Sequence, residues 1–180
     1  MRVVAGKYRG RHFDVPRTFK ARPTTDFAKE NLFNVLRSYI DFEEEAPRAL
    51  DLFAGTGSIT LELLSRGCSH LTSVELDPQH ISFIRKFLQT LKAEDDVTLL
   101  RADVLRFLSK APGTYDFIFA DPPYALPELT QLPDLVFGAP SLLAPGGLFV
   151  LEHGKTQDFT SHPHFVAHRA YGSVNFSLFQ

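Results

Sequence analysis

From residue 48 onward, short apolar runs alternate with stretches of helical periodicity, and this alternation limits the fold more than any other feature. Ala49-Leu50-Asp51-Leu52-Phe53 reads as a first strand and Leu71 to Glu75 as a second. Val97 to Leu100, Asp116 to Ala120 and Gly147 to Glu152 read as the third, fourth and fifth. Between them a helix is predicted from about Ser58 to Arg66, ended by Gly67. Asp77 caps a second helix, with Pro78 in its first turn, where the missing N–H costs nothing. Its buried stripe is Ile81, Ile84, Leu88 and Leu91. Asp103 opens another helix, and one more falls within residues 127–143. Strands separated by helices form a parallel sheet with right-handed crossovers. Two further strands, near 164–170 and 174–179, are joined only by the turn at Gly172-Ser173 and form a hairpin. The expectation is an open α/β sheet of seven strands, with one antiparallel strand at its end.

The front of the chain differs. Arg2 to Ala5 and Arg11 to Val15 read as a small hairpin, and Pro16 ends it. Thr25 is a plausible helix cap, and apolar positions recur at helical spacing to about Tyr39. Glu43-Glu44-Glu45 and Pro47 mark a loop. The net charge of −2 hides an asymmetry: residues 1–40 carry nine Lys/Arg against three Asp/Glu, and the remainder carries ten against eighteen. A basic end can meet a polyanion or serve as a solvated arm, and charge leaves both open. The chain therefore divides into a basic front, 1–40, and an α/β domain, 41–180. No apolar run is long enough for a membrane span, and the first ten residues lack the apolar stretch of a signal peptide. The single cysteine, Cys68, excludes an internal disulfide, and a cytoplasmic protein is expected.

In an open parallel sheet, ligands bind at the carboxyl ends of the strands. There lies Asp51-Leu52-Phe53-Ala54-Gly55-Thr56-Gly57-Ser58. Gly55 and Gly57 permit a tight turn, and helix N–H groups just beyond can face a ligand carboxylate. A lone G-x-G also describes an ordinary strand-to-helix turn. Glu75 adds weight, because an acid about 20 residues on can accept hydrogen bonds from ribose hydroxyls. A dinucleotide fingerprint needs Gly or Ala where Thr60 stands, which disfavours a nicotinamide cofactor. Asp103 can meet an adenine amino group, cap a helix, or do both.

Asp121-Pro122-Pro123-Tyr124 follows the fourth strand directly. A double proline can be punctuation. The chemistry allows more. The lone pair of a base amino nitrogen is delocalised into its ring, so the nitrogen is a poor nucleophile. The Asp121 carboxylate and Pro122 carbonyl can both accept from that amino group and aim its lone pair at a sulfonium methyl. Prolines stiffen the turn, so the acceptors are preset. Tyr124 can stack on the base.

Together, the segments 51–58, Val74-Glu75-Leu76-Asp77 and Asp121 to Tyr124 resemble class I methyltransferases acting on amino groups. Arg2-Val3-Val4-Ala5-Gly6-Lys7-Tyr8-Arg9-Gly10-Arg11, Arg22-Pro23-Thr24-Thr25-Asp26 and Leu32-Phe33-Asn34-Val35-Leu36 resemble the RsmD family of bacterial 16S rRNA guanine-N2 methyltransferases, over essentially the whole chain. The resemblance implies a Rossmann-like class I methyltransferase fold and S-adenosyl-L-methionine as methyl donor. It implies that Asp51, Phe53, Ala54, Gly55, Gly57, Glu75, Leu76, Asp103, Val104 and Asp121 hold the donor. Asp121, Pro122, Pro123 and Tyr124 would position the guanine amino group. Lys7, Arg9, Arg11, Arg22, Thr24 and Thr25 would contact 16S rRNA, within a partly assembled small ribosomal subunit, without metal or membrane. Two positions depart from the family pattern: Phe27 and Lys29 stand where Arg is common.

His153, just past the fifth strand, is more often a structural histidine than a base at such a place, and the other histidines show no metal-ligand spacing. A DNA adenine-N6 methyltransferase shares the Asp-Pro-Pro-Tyr chemistry, but no long insertion for reading duplex DNA is present. An inactive RNA-binding module would leave Glu75 and residues 121–124 without a purpose.

Overall fold

The computed structural model describes residues 1–19, 24–110 and 113–180. Seven strands form one sheet: β1 (Arg48–Leu52), β2 (Ser69–Glu75), β3 (Val97–Arg101), β4 (Tyr115–Ala120), β5 (Leu143–His153), β6 (Phe165–Tyr171) and β7 (Val174–Phe179). The order is β3-β2-β1-β4-β5-β7-β6. Strands β1 to β5 pair in parallel, while β7 is antiparallel to both β5 and β6. The hairpin expected from its short turn is present. Its reversed strand does not close the sheet, however: β7 is inserted between β5 and the edge strand β6. The apolar run of β7, with Phe176, Leu178 and Phe179 fully buried, needs cover on both sides, whereas β6 buries only Ala167 and tolerates an edge.

The helices are α1 (Asp26–Leu36), α2 (Phe42–Glu45), α3 (Ser58–Ser65), α4 (Pro78–Leu91), α5 (Val104–Lys110) and α6 (Leu132–Gly138). Alternate strand residues divide between two cores, as the period of a strand requires. Ala49, Phe117, Phe119 and Val150 pack with α1, α3 and α4. Leu50, Ile118, Phe149 and Leu151 pack with α5 and α6. Thr25 caps α1 through Ala28 N–H at 3.2 Å, and Asp77 caps α4 ahead of Pro78. Helix α1 stops at Leu36, three residues before the expected end. The acidic run 43–45, read as loop, forms the one-turn helix α2, because Asp41 accepts from Glu43 and Glu44 N–H. Cys68 is buried and its thiol is pushed up to about 12 by burial, which leaves it inert.

The front segment is bolted to the sheet layer rather than hung from it. Its hairpin is small, a single antiparallel bridge between Arg2 and His12. The Glu62 carboxylate on α3, 0% exposed, accepts Val4 N–H at 2.9 Å and Ala5 N–H at 3.0 Å. It also meets Arg66 at 2.9 Å and Lys29 at 3.5 Å. Ser65 accepts Lys7 N–H at 2.7 Å through its carbonyl and Tyr8 N–H at 2.9 Å through its hydroxyl. Any side chain at Gly6 would put its Cβ 1.9 Å from that Ser65 carbonyl oxygen, so only glycine lets the turn dock.

Candidate active site

Strand β1 has β2 on one side and β4 on the other, which makes the β1/β4 border the switch point where an open α/β sheet binds ligands. Leu52 pairs with Ala120, so the loops that begin at Phe53 and Asp121 leave the sheet side by side. Asp121 N–H donates to the Leu52 carbonyl at 3.2 Å and fixes their separation. The acid that ends β2 comes to the same edge. Glu75 Oε2 accepts Gly55 N–H at 2.7 Å, while Oε1 accepts Leu76 and Asp77 N–H at 2.9 and 2.8 Å. These bonds tie the Gly-rich turn to the second strand and hold the carboxylate in one orientation.

The turn itself is tight. Phe53 adopts φ 59° and Gly57 φ 75°, with Gly57 N–H returning to the Ala54 carbonyl at 2.7 Å. A left-handed phenylalanine is costly and such residues gather at functional turns. Gly57 is required for packing as much as for the turn. A Cβ there would lie 2.8 Å from Ile84 Cγ1 and 2.9 Å from the Phe87 ring, both on α4.

Asp51 is buried beneath this turn. Its carboxylate accepts the Thr60 hydroxyl at 2.5 Å, and Thr60 in turn meets Ser73 Oγ at 2.7 Å. Thr60, the residue that breaks the dinucleotide pattern, thus has a structural task. Burial pushes Asp51 up to about 7. Asp103 caps α5, accepting Arg106 N–H at 2.9 Å through Oδ1. Leu76, just past the end of β2, stands 58% exposed, and Val104 is buried. His80 on α4 is buried with Nδ1 3.6 Å from Glu75 Oε1, and that nitrogen has no hydrogen-bond partner among the described residues.

Pro122 is buried, whereas Pro123 and Tyr124 are exposed, so a flat partner can reach the Tyr124 ring. The Tyr124 hydroxyl donates to Glu152 Oε1 at 3.1 Å. Thr24 Oγ1 lies 3.5 Å from Glu152 Oε2. Burial, then Glu152, then Asp51 push the Asp121 carboxyl well above the usual carboxylate range. Burial pushes Glu152 to about 7, against the pull of Tyr124 and Thr24. From sequence, Glu152 is only the end of the fifth strand. Its signal is nonetheless present: like Glu75 and Asp121, it is an acid at the carboxyl end of an apolar strand.

The sequence-derived residues do not all converge. Asp51, Gly55, Gly57, Glu75, Asp103 and residues 121–124 gather at the carboxyl edge. Lys7, Arg9 and Arg11 are exposed in the hairpin turn and its return, next to Ser65 at the far end of α3, a helix about 12 Å long at 1.5 Å per residue. Thr24 is at the cleft, and the Thr25 side chain is used as a cap. Arg22 lies outside the described residues. Lys29 is 1% exposed and bonds the Arg2 carbonyl at 2.5 Å, so it faces the interior. Phe27 is exposed with its edge toward Tyr171. His153 is structural. Its Nδ1–H donates to the Gly154 carbonyl and its Nε2 accepts from the Ser177 hydroxyl, each at 2.8 Å, and burial lowers its pKa. Two open cavities of about 240 and 590 Å³ sit at the opposite edge of the sheet, lined by residues such as Pro145–Leu148 and Ser69–Thr72. Neither contains the strand-end acids, and it is the chemistry of the carboxyl edge that marks the site.

The sequence profile of the family described as conserved hypothetical protein 95 matches residues 1–180. Ribosomal RNA small subunit methyltransferase D of Haemophilus influenzae is 32% identical over 185 residues, covering 100% of this chain and 93% of the relative. The chain belongs to the RsmD family of methyltransferases. The Escherichia coli protein of the same name is 36% identical over 124 residues, which cover 69% of this chain and 60% of its own. A hypothetical protein from Thermus thermophilus superposes with a TM-score of 0.84 at 29% identity, over 100% of this chain and 99% of that one. The RsmD-family fold is thus the class I methyltransferase sheet described above, and no described helix is long and apolar enough to cross a membrane.

Proposed function

We propose that this chain transfers a methyl group from S-adenosyl-L-methionine to the exocyclic N2 of a guanine in 16S rRNA of the small ribosomal subunit. The observation that carries the reading is the adjacency of the Gly55 turn and the Asp121 turn at the switch point, in a chain whose relatives are named small-subunit rRNA methyltransferases. The donor fits the residues present. Asp51, Asp121 and Glu152 crowd into one region with no described Lys or Arg bonded to them, and a cationic ligand suits such a region. Glu75 would take the ribose hydroxyls, Asp103 the adenine amino group through its uncommitted oxygen, and Leu76 the face of the adenine ring. Asp51, Phe53, Ala54, Gly55, Gly57 and Val104 would shape the rest of the donor site.

When bound, the sulfonium supplies an electrophilic methyl group. This chain's own residues supply position. Asp121 and the Pro122 carbonyl accept from the base amino group, Pro123 stiffens the turn, and Tyr124 stacks on the ring. The proton released from nitrogen passes to water, so His153 is not needed. Residues 1–40 act as an RNA-contacting extension on the methyltransferase domain, 41–180. Lys7, Arg9 and Arg11 hold phosphates one helix length from the cleft, while Arg22, Thr24 and Thr25 meet RNA nearer to it. The substrate is rRNA in a partly assembled subunit, and the protein works in the cytoplasm. Mass spectrometry of 16S rRNA from cells with and without the gene tests this. One N2-methylguanine should vanish with the gene; an unchanged set of methylated guanines would refute it.

A further inference from the structure

We infer that Glu152 selects guanine, by accepting the ring N1–H of the target base while Asp121 and the Pro122 carbonyl hold its amino group. The inference rests on the guanine-N2 reading above and adds a specificity residue to it.

The register of the sheet brings the two acids together. Ala120 pairs with Leu151 across β4 and β5, so Asp121 and Glu152 follow side by side on neighbouring parallel strands, about 4.8 Å apart. Glu152 is buried, and its described hydrogen-bond partners are the Tyr124 hydroxyl at 3.1 Å and the Thr24 hydroxyl at 3.5 Å. A carboxylate offers about four acceptor positions, so capacity remains on both oxygens. Tyr124, the proposed stacking ring, is the group that orients this carboxylate. An acid beside a second acid, without a described cation, is unfavourable for stability, and a task in recognition accounts for it.

The chemistry of the bases then decides. In guanine, the ring nitrogen on one side of the amino group carries a hydrogen. In adenine and cytosine, the ring nitrogen beside the amino group is an acceptor. Two neighbouring carboxyl acceptors therefore match guanine N1–H and N2–H₂ together. Against adenine or cytosine, the Glu152 carboxylate, ionised above about pH 7, would face a lone pair. A buried polar group left unpaired in this way is a strong source of discrimination.

The test uses 2-aminopurine, which keeps the amino group of guanine and lacks the N1 hydrogen. The guanine mapped by mass spectrometry is replaced by 2-aminopurine in small-subunit rRNA, and methyl transfer is compared as kcat/KM. The wild-type protein should prefer guanine by about a hundredfold or more. Glu152→Gln, whose amide can donate to N1, should shrink that preference at least about tenfold. Tyr124→Phe keeps the stacking ring and the Thr24 contact to Glu152, so it should slow both substrates and move their ratio far less than Glu152→Gln does. Three results overturn the inference: equal wild-type rates on the two bases, an unchanged ratio in Glu152→Gln, or a Tyr124→Phe ratio that moves as far as that of Glu152→Gln. The last would mean that Glu152 acts through the ring alone. If wild-type product on guanine RNA contains no N2-methylguanine, the guanine-N2 reading itself fails and this inference falls with it. Should Glu152→Gln not fold, as judged by circular dichroism, Glu152→Asp withdraws the carboxylate by one methylene. It should cut the guanine rate far more than the 2-aminopurine rate, and equal losses would overturn the inference.

Discussion

Two regions of this molecule bury acids, and they do so in opposite ways. At the far end of α3, Glu62 is surrounded by two backbone N–H groups, Lys29 and Arg66, so each oxygen is paired within the protein. At the carboxyl edge of the sheet, Asp51, Asp121 and Glu152 meet hydroxyls and one another, and burial raises all three. The first cluster is complete and fastens the basic front to the domain. The second is incomplete, and that is the state of a site built for something that arrives from outside. Burial of charge thus reads as architecture where the partners are present and as recognition where they are not.

The sharpest way to separate the regions is to break each in turn. Asp121→Ala should lower methyl transfer by about 10²–10⁴-fold, far more than it weakens donor binding, and without lowering the urea midpoint. A rate within a few-fold of wild type would remove Asp121 from the reaction. Glu62→Ala should do the reverse. It strands two buried cations and should lose about 3–5 kcal/mol of stability in urea unfolding. A loss below about 1 kcal/mol would mean that the cluster is not the fastening described here. Glu75→Ala should weaken donor binding in calorimetry by about ten- to a hundredfold, since hydrogen bonds to a charged group are involved. Equal affinity would end the ribose assignment.

The comparison also has a pH signature. Asp51 and Glu152 hold their protons in the folded protein to about 7, whereas the unfolded chain releases them in the ordinary carboxylate range. The folded state therefore binds more protons across that window, and stability falls as pH rises from the ordinary range to about 7, then levels. The melting temperature of the ligand-free protein should drop between about pH 5 and 8, and Asp51→Asn should flatten the drop. A rise over the same window would contradict the burial of these acids. The smallest effect belongs to the hairpin. Arg9→Ala with Arg11→Ala should reduce the salt dependence of RNA binding by one to two units of slope, about one per phosphate contact, as measured by filter binding. An unaltered slope would put the RNA path elsewhere.

Period and punctuation determined much of this protein from sequence alone. Seven strands, the caps at Thr25 and Asp77, and acids at the ends of strands are local properties of the chain, set by side-chain alternation and by which residues satisfy helix-end N–H groups. Tertiary structure decided what depends on partners distant along the chain. Glu62 and Lys29, 33 positions apart, meet only because α1 and α3 pack on one face. Glu152 comes beside Asp121 only through the β4/β5 register, and β7 lies inside the sheet because its apolar run needs a neighbour on each side. A carboxylate reads the same in sequence whether its partners are present or absent, and only the folded chain shows which acids are already answered.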